Sequence, residues 1–151
     1  MDLSFQEKSL AGSLVLTVVL FGWYFIMVFE SLTGDTSSAA VLPFQLLWVI
    51  GIVVAVEVVY HVLIAVTEKP AETDERDRLI ELKATRVSYL VLVAGCLAGI
   101  GHAIVHAHAE PAVAGRVQLD PIMTANLVLL AFILAEVVGF AVQLWYYRRG
   151  F

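Results

Sequence analysis

Long apolar runs alternate with short polar stretches along this chain. The runs cover 10–29, 44–66, 87–105 and 122–145. Each is close to the ~20 residues that an α-helix needs to cross ~30 Å of hydrocarbon. Pro43 and Pro121 stand where a helix would begin, and proline suits a first turn because its missing N–H costs nothing there. The pattern predicts helices over about 10–30, 43–67, 78–107 and 121–147. The expected architecture is all-α: one integral membrane four-helix bundle, up-down-up-down, with short connections. The stretches 31–42 and 107–121 are too short for a folded ectodomain.

Composition sharpens the class. Hydrophobic residues make up 60% of the 151, where a soluble domain is nearer half, and mean hydropathy is +0.87. The length suits one unit, not two domains. The first run has Asp2 and Glu7 before it, only Lys8 as a cation, and no small-residue cleavage site after Phe29, so it reads as a retained helix. Cys96 is the single cysteine, which rules out an intrachain disulfide and suits a small core residue.

The net charge of −5 matters less than where the cations lie. Lys8, Lys69, Arg76, Arg78, Lys83, Arg86, Arg148 and Arg149 fall on one predicted side, and only Arg116 on the other. The positive-inside rule then puts both termini and the central loop in the cytoplasm, as a multi-pass protein of a bacterial or archaeal inner membrane. Trp48, Trp145, Tyr146 and Tyr147 fall at span ends, where amphipathic rings prefer the interface, while Trp23 and Tyr24 sit deeper.

The central loop, 68–86, is dense in both signs of charge. Pro70 ends the second helix. Thr73 is placed to cap a new one, with Asp74, Glu75 and Asp77 near its positive N-terminus. Glu72 with Arg76, and Asp74 with Arg78, are spaced to pair on a helix. Leu79, Ile80 and Leu82 give the segment an apolar side. Two readings follow: a solvated helical linker, or a docking surface built on Asp74, Arg76, Asp77, Arg78, Lys83 and Arg86. The stretch Asp74-Glu-Arg-Asp-Arg-Leu-Ile-Glu-Leu-Lys-Ala-Thr-Arg-Val-Ser-Tyr89 resembles the charged inner loop of an uncharacterised family, a domain of unknown function, of small prokaryotic four-helix membrane proteins. That resemblance implies a membrane bundle and, as partner, a cytoplasmic helix-turn-helix transcription regulator. It supplies no catalytic residues.

Polar groups inside the runs carry the remaining signal. An acid at mid-span costs roughly 3 kcal/mol on insertion scales and is retained mainly where it faces protein or water. Glu57 in the second run and Glu136 in the fourth fall at similar depth within matching Val-rich stretches, a faint repeat of two parallel hairpins. Tyr60, His61 and Gln143 lie nearby, with His61 one turn from Glu57. A carboxyl in apolar surroundings and a histidine suit proton-linked work. The plainer alternative is that Glu57 bonds His61 or Gln143 and holds helices together.

The third run carries Gly95, Gly99, His102 and His106 on one stripe. The glycines form a small-xxx-small pair for helix packing, either with a second copy in a homodimer or within the chain. His102 and His106, with His108 or Glu30 as a further ligand, are a candidate site for Zn or Cu. Interfacial histidines bonded to carboxylates are the plainer reading. Haem is a weaker option, because His61 and His102 are ~15 Å apart along the membrane normal by helical rise, too far to share one iron. No Walker, dinucleotide, Gly-x-Ser-x-Gly or His-Glu-x-x-His motif is present, and the basic residues are balanced by acids beside the membrane, which argues against direct nucleic-acid binding. The sequence therefore points to a non-enzymatic regulatory membrane protein. A proton-coupled small-molecule transporter and a metal- or haem-binding membrane protein are the alternatives.

Overall fold

The structure, a computed structural model, describes residues 5–33, 42–67, 74–108 and 121–149. Its four long elements are all helices: α1 (Phe5–Thr33), α2 (Leu42–Thr67), α3 (Glu75–Ala107) and α4 (Pro121–Arg149). Each contains a stretch long and apolar enough to cross a membrane, which makes this a multi-pass membrane protein by length and composition.

Two helices start earlier than the apolar pattern predicts. α1 begins at Phe5 because its polar first turn has partners: Gln6 Nε2 donates to Asp77 at 2.8 Å, and the Lys8 carbonyl accepts from Tyr60 Oη at 2.9 Å. α3 begins at Glu75 because Asp74 and Asp77 form a reciprocal cap. The Asp77 N–H donates to Asp74 Oδ1 at 2.8 Å, and the Asp74 N–H to Asp77 Oδ2 at 3.1 Å. This is the capping-box geometry with aspartates in both roles. The cap is therefore Asp74, not Thr73, which lies outside the described residues. Asp74 spends its carboxylate on the cap, and its carbonyl takes the Arg78 N–H at 3.3 Å as the first turn closes. Glu72 also lies outside the described residues.

The distribution of apolar side chains is that of a lipid-solvated molecule. Val19, Phe29, Leu47, Trp48, Leu63, Val66, Leu90, Leu97 and Val105 are all more than half exposed. Soluble monomers do not show apolar surface on this scale. The buried set mixes larger side chains such as Phe21, Tyr24 and Ile80 with small or polar ones, among them Ser13, Thr17, Ala84, Ala131, Ala135 and Asn126. Bundles in lipid gain little from hiding apolar area and associate through close packing and interhelical hydrogen bonds.

Packing runs in the order α2, α1, α4, α3. The most extensive interface is between α3 and α4; α1 packs on both α4 and α2, and no comparable packing joins α2 to α3. The bundle is therefore open along its α2/α3 side. Small residues set the α3–α4 approach. A Cβ on Gly95 would collide with the Ala131 methyl, one on Gly99 would stand 3.2 Å from Val128 Cγ2, and one on Gly139 would stand 2.5 Å from Ser88 Oγ. The Gly95/Gly99 pair is thus occupied within the chain. Between α1 and α2 the packing is of larger side chains, with Phe21, Tyr24, Val28, Val49 and Val53 buried together and Leu129 and Ile133 of α4 against them.

Candidate functional site

Three polar regions line the bundle from one end to the other. The first is a latch where three helix ends meet. Asp77 of α3 accepts from Gln6 of α1, and Tyr147 of α4 donates to Asp77 Oδ1 at 2.9 Å and to Gln6 Oε1 at 3.0 Å. The starts of α1 and α3 and the end of α4 therefore lie together. Both Asp77 and Tyr147 stand outside the apolar runs. Desolvation pushes the Asp77 carboxyl up, but hydrogen bonds from Gln6, the Asp74 backbone and Tyr147 outweigh it and hold the group below its ordinary value. Burial, then the bond to Asp77 and the nearby acidic charge, push the Tyr147 phenol up, so it stays a donor. A pocket of about 210 Å³ lies beside the latch, lined by Ser9, Glu81 and Gln143 among others.

The second region holds the intramembrane acids. The expectation that Glu57 bonds His61 or Gln143 is not met. Thr17 Oγ1 donates to Glu57 Oε1 at 3.4 Å, and Ser13 Oγ lies 3.3 Å from His61 Nε2. Both partners come from α1, because the Glu57 and His61 edge of α2 turns toward the helix it packs on. These are long bonds, and Glu57 is only half-buried. Tyr60 is placed differently from its neighbours. Its ring crosses α1 at Gly12, where any side chain would collide with it, and its hydroxyl bonds Lys8.

Glu136 is exposed and lines a groove of about 400 Å³ between α3 and α4. Thr85, Ser88, Tyr89, Phe132, Phe140 and Gln143 share that lining. The Glu57 and Glu136 charges are within electrostatic reach of each other. Gln143 lines both this groove and the pocket at the latch, so the two are neighbours along α4.

The third region is at the other end. Tyr24 is fully buried and donates to Asn126 Oδ1 at 2.7 Å, tying α1 to α4. Of the candidate metal ligands, His102, His108 and Glu30 are described. Among the described residues no group of three His, Cys, Asp or Glu side chains is placed to hold an ion. His108 is exposed, with Nδ1 2.9 Å from the Ile104 carbonyl, and Glu30 is exposed on α1. The His106 side chain lies outside the described residues. Among the described residues, His102, His108 and Glu30 therefore form no ligand set.

Several residues of the charged segment have partners within the chain. Asp74 and Asp77 serve the cap and the latch. Lys83 Nζ lies 5.4 Å from the Tyr146 ring centroid, and Arg149 stacks on Trp145 at 4.9 Å. Arg76, Arg78 and Arg86 remain exposed beside Leu79 and Leu82, while Ile80 and Ala84 on the opposite side are fully buried. Sequence reasoning missed Thr17, Gln6 and Tyr147 as partners of the acids and Ser13 as the partner of His61. Ser13 and Thr17 did carry a signal, being hydroxyl residues one helical turn apart in an apolar run. Comparisons with protein-family models, with curated proteins and with solved structures return no match.

Proposed function

We propose that this chain is a non-enzymatic regulatory subunit of a prokaryotic inner membrane, with an up-down-up-down bundle and both termini in the cytoplasm. It engages a cytoplasmic partner, a transcription regulator, through the outward side of α3 between Glu75 and Arg86. The observation that carries this reading is the rigid mounting of that segment. Ile80 and Ala84 bury one side of it, the latch at Asp77 ties it to α1 and α4, and Arg78, Leu79, Leu82 and Arg86 share the free side. A solvated linker needs no such anchoring.

Co-purification with a helix-turn-helix regulator from native membranes tests the proposal. Reversing charge with Arg78→Glu and Arg86→Glu is expected to abolish it. Binding that survives both reversals would remove the segment from the interface.

A second reading, proton-coupled transport, draws on one observation: Glu57 and His61 of α2 meet hydroxyls of α1 inside the apolar spans. Uptake into proteoliposomes driven by a proton gradient separates it from the first.

A further inference from the structure

We propose that the groove between α3 and α4 is a binding site for a lipophilic organic cation, held by Glu136 against the rings of Tyr89, Phe132 and Phe140. The proposal goes beyond the partner-binding reading and does not rest on it.

Charge complementarity comes first. The groove lining includes the Glu136 carboxylate, and no Lys or Arg among the described residues contributes to it. An ionised carboxylate at membrane depth is expensive without a counter-charge, and a bound cation supplies one. The walls then choose between kinds of cation. A metal ion needs several hard or imidazole ligands, and no group of three such side chains occurs among the described residues. Three aromatic rings instead favour a large, weakly hydrated cation, whose attraction to a ring face grows when it is desolvated. Thr85, Ser88 and Gln143 add dipoles at one end of the site. The volume of about 400 Å³ falls within the ~300–1,000 Å³ typical of small-molecule sites. Access is also accounted for: Glu136 and Phe132 are exposed, and the bundle is open beside them, so a ligand dissolved in the bilayer can enter sideways.

The test uses the full chain in nanodiscs of neutral phosphatidylcholine, with tetraphenylphosphonium as the probe and empty discs to subtract partitioning. Saturable binding of one cation per chain is expected. Glu136→Gln should weaken it at least ten-fold, and Phe132→Ala several-fold. Tetraphenylborate, of like shape and opposite charge, should show no saturable binding. The proposal is overturned if the cation does not saturate, if Glu136→Gln binds it as well as the parent, or if the anion binds equally. Should Glu136→Gln fail to fold, the cation–anion comparison on the unaltered chain decides alone. No cytoplasmic partner is present in this assay, so its failure leaves the partner-binding reading standing, and loss of partner binding leaves this one.

Discussion

Asp77 does three jobs with one carboxylate: it completes the α3 cap, accepts from Gln6 and accepts from Tyr147. Together those bonds favour the ionised form. A carboxyl held below its ordinary value in the folded state stabilises at pH values above the unfolded value of about 4, and the contribution is lost as pH falls through the lower folded value. Thermal unfolding in detergent should therefore be flat in this respect from pH 7 to 5 and weaken in strong acid. Asp77→Asn should lower stability at neutral pH and remove the acid-dependent part. An acid limb of the same size in that variant would assign it to other carboxyls. The Tyr24–Asn126 bond is a separate case, because both groups are buried within the bundle. Tyr24→Phe should cost about 0.6 kcal/mol, the usual worth of an interhelical bond in lipid. Asn126→Leu should cost more, on the order of 1–3 kcal/mol, since it leaves a fully buried hydroxyl without its acceptor. Denaturation in mixed micelles would measure both, and the reverse order would contradict the assignment.

α3 and α4 approach each other by omission of side chains. Gly95 faces Ala131 closely enough that one methyl on each cannot both fit. Gly95→Ala should loosen the hairpin by roughly 1–3 kcal/mol, as overpacking does. Pairing it with Ala131→Gly should recover part of that loss, but not all, because the Ala131 Cα would still lie 3.2 Å from the new methyl. No recovery in the double variant would mean that the two helices meet elsewhere. The same interface shows what the sequence could reveal. The four spans were legible because lipid demands ~20 apolar residues in each, whatever they pack against. The Gly95/Gly99 stripe was legible as a packing face, yet its partner was not, since a glycine stripe is equally suited to a neighbouring helix or a second copy. The partners of Glu57 and His61 stayed hidden for a related reason. Spacing along α2 says that the two side chains share a face, but only the position of α1 puts Thr17 and Ser13 in front of it. The Asp74 cap was visible as Asp-x-x-Asp and was displaced by the more familiar Thr73.

The four helices form an arc, closed by the latch at one end and by Tyr24–Asn126 at the other, with the α2/α3 side left open. An opening of this kind suits entry from the bilayer. Which side of the membrane the charged end faces decides whether a cytoplasmic protein can meet Arg76, Arg78 and Arg86. The topology proposed above puts it inside. Arg148 and Arg149 end α4 beside the same latch that Lys8 approaches from α1, so the helix ends gather positive charge where Asp77 and Tyr147 meet. Moving that cluster across the membrane would oppose the bias that sets topology in short-loop proteins. Labelling with a membrane-impermeant maleimide tests it. In a Cys96→Ser background, Arg78→Cys should react only after the cells are opened, and His108→Cys should react in intact cells. Both residues are exposed, so access to the reagent is governed by the membrane and not by packing. The opposite pattern would put the charged segment outside and end the cytoplasmic-partner proposal, while the groove at Glu136, reached from within the bilayer, would be unaffected.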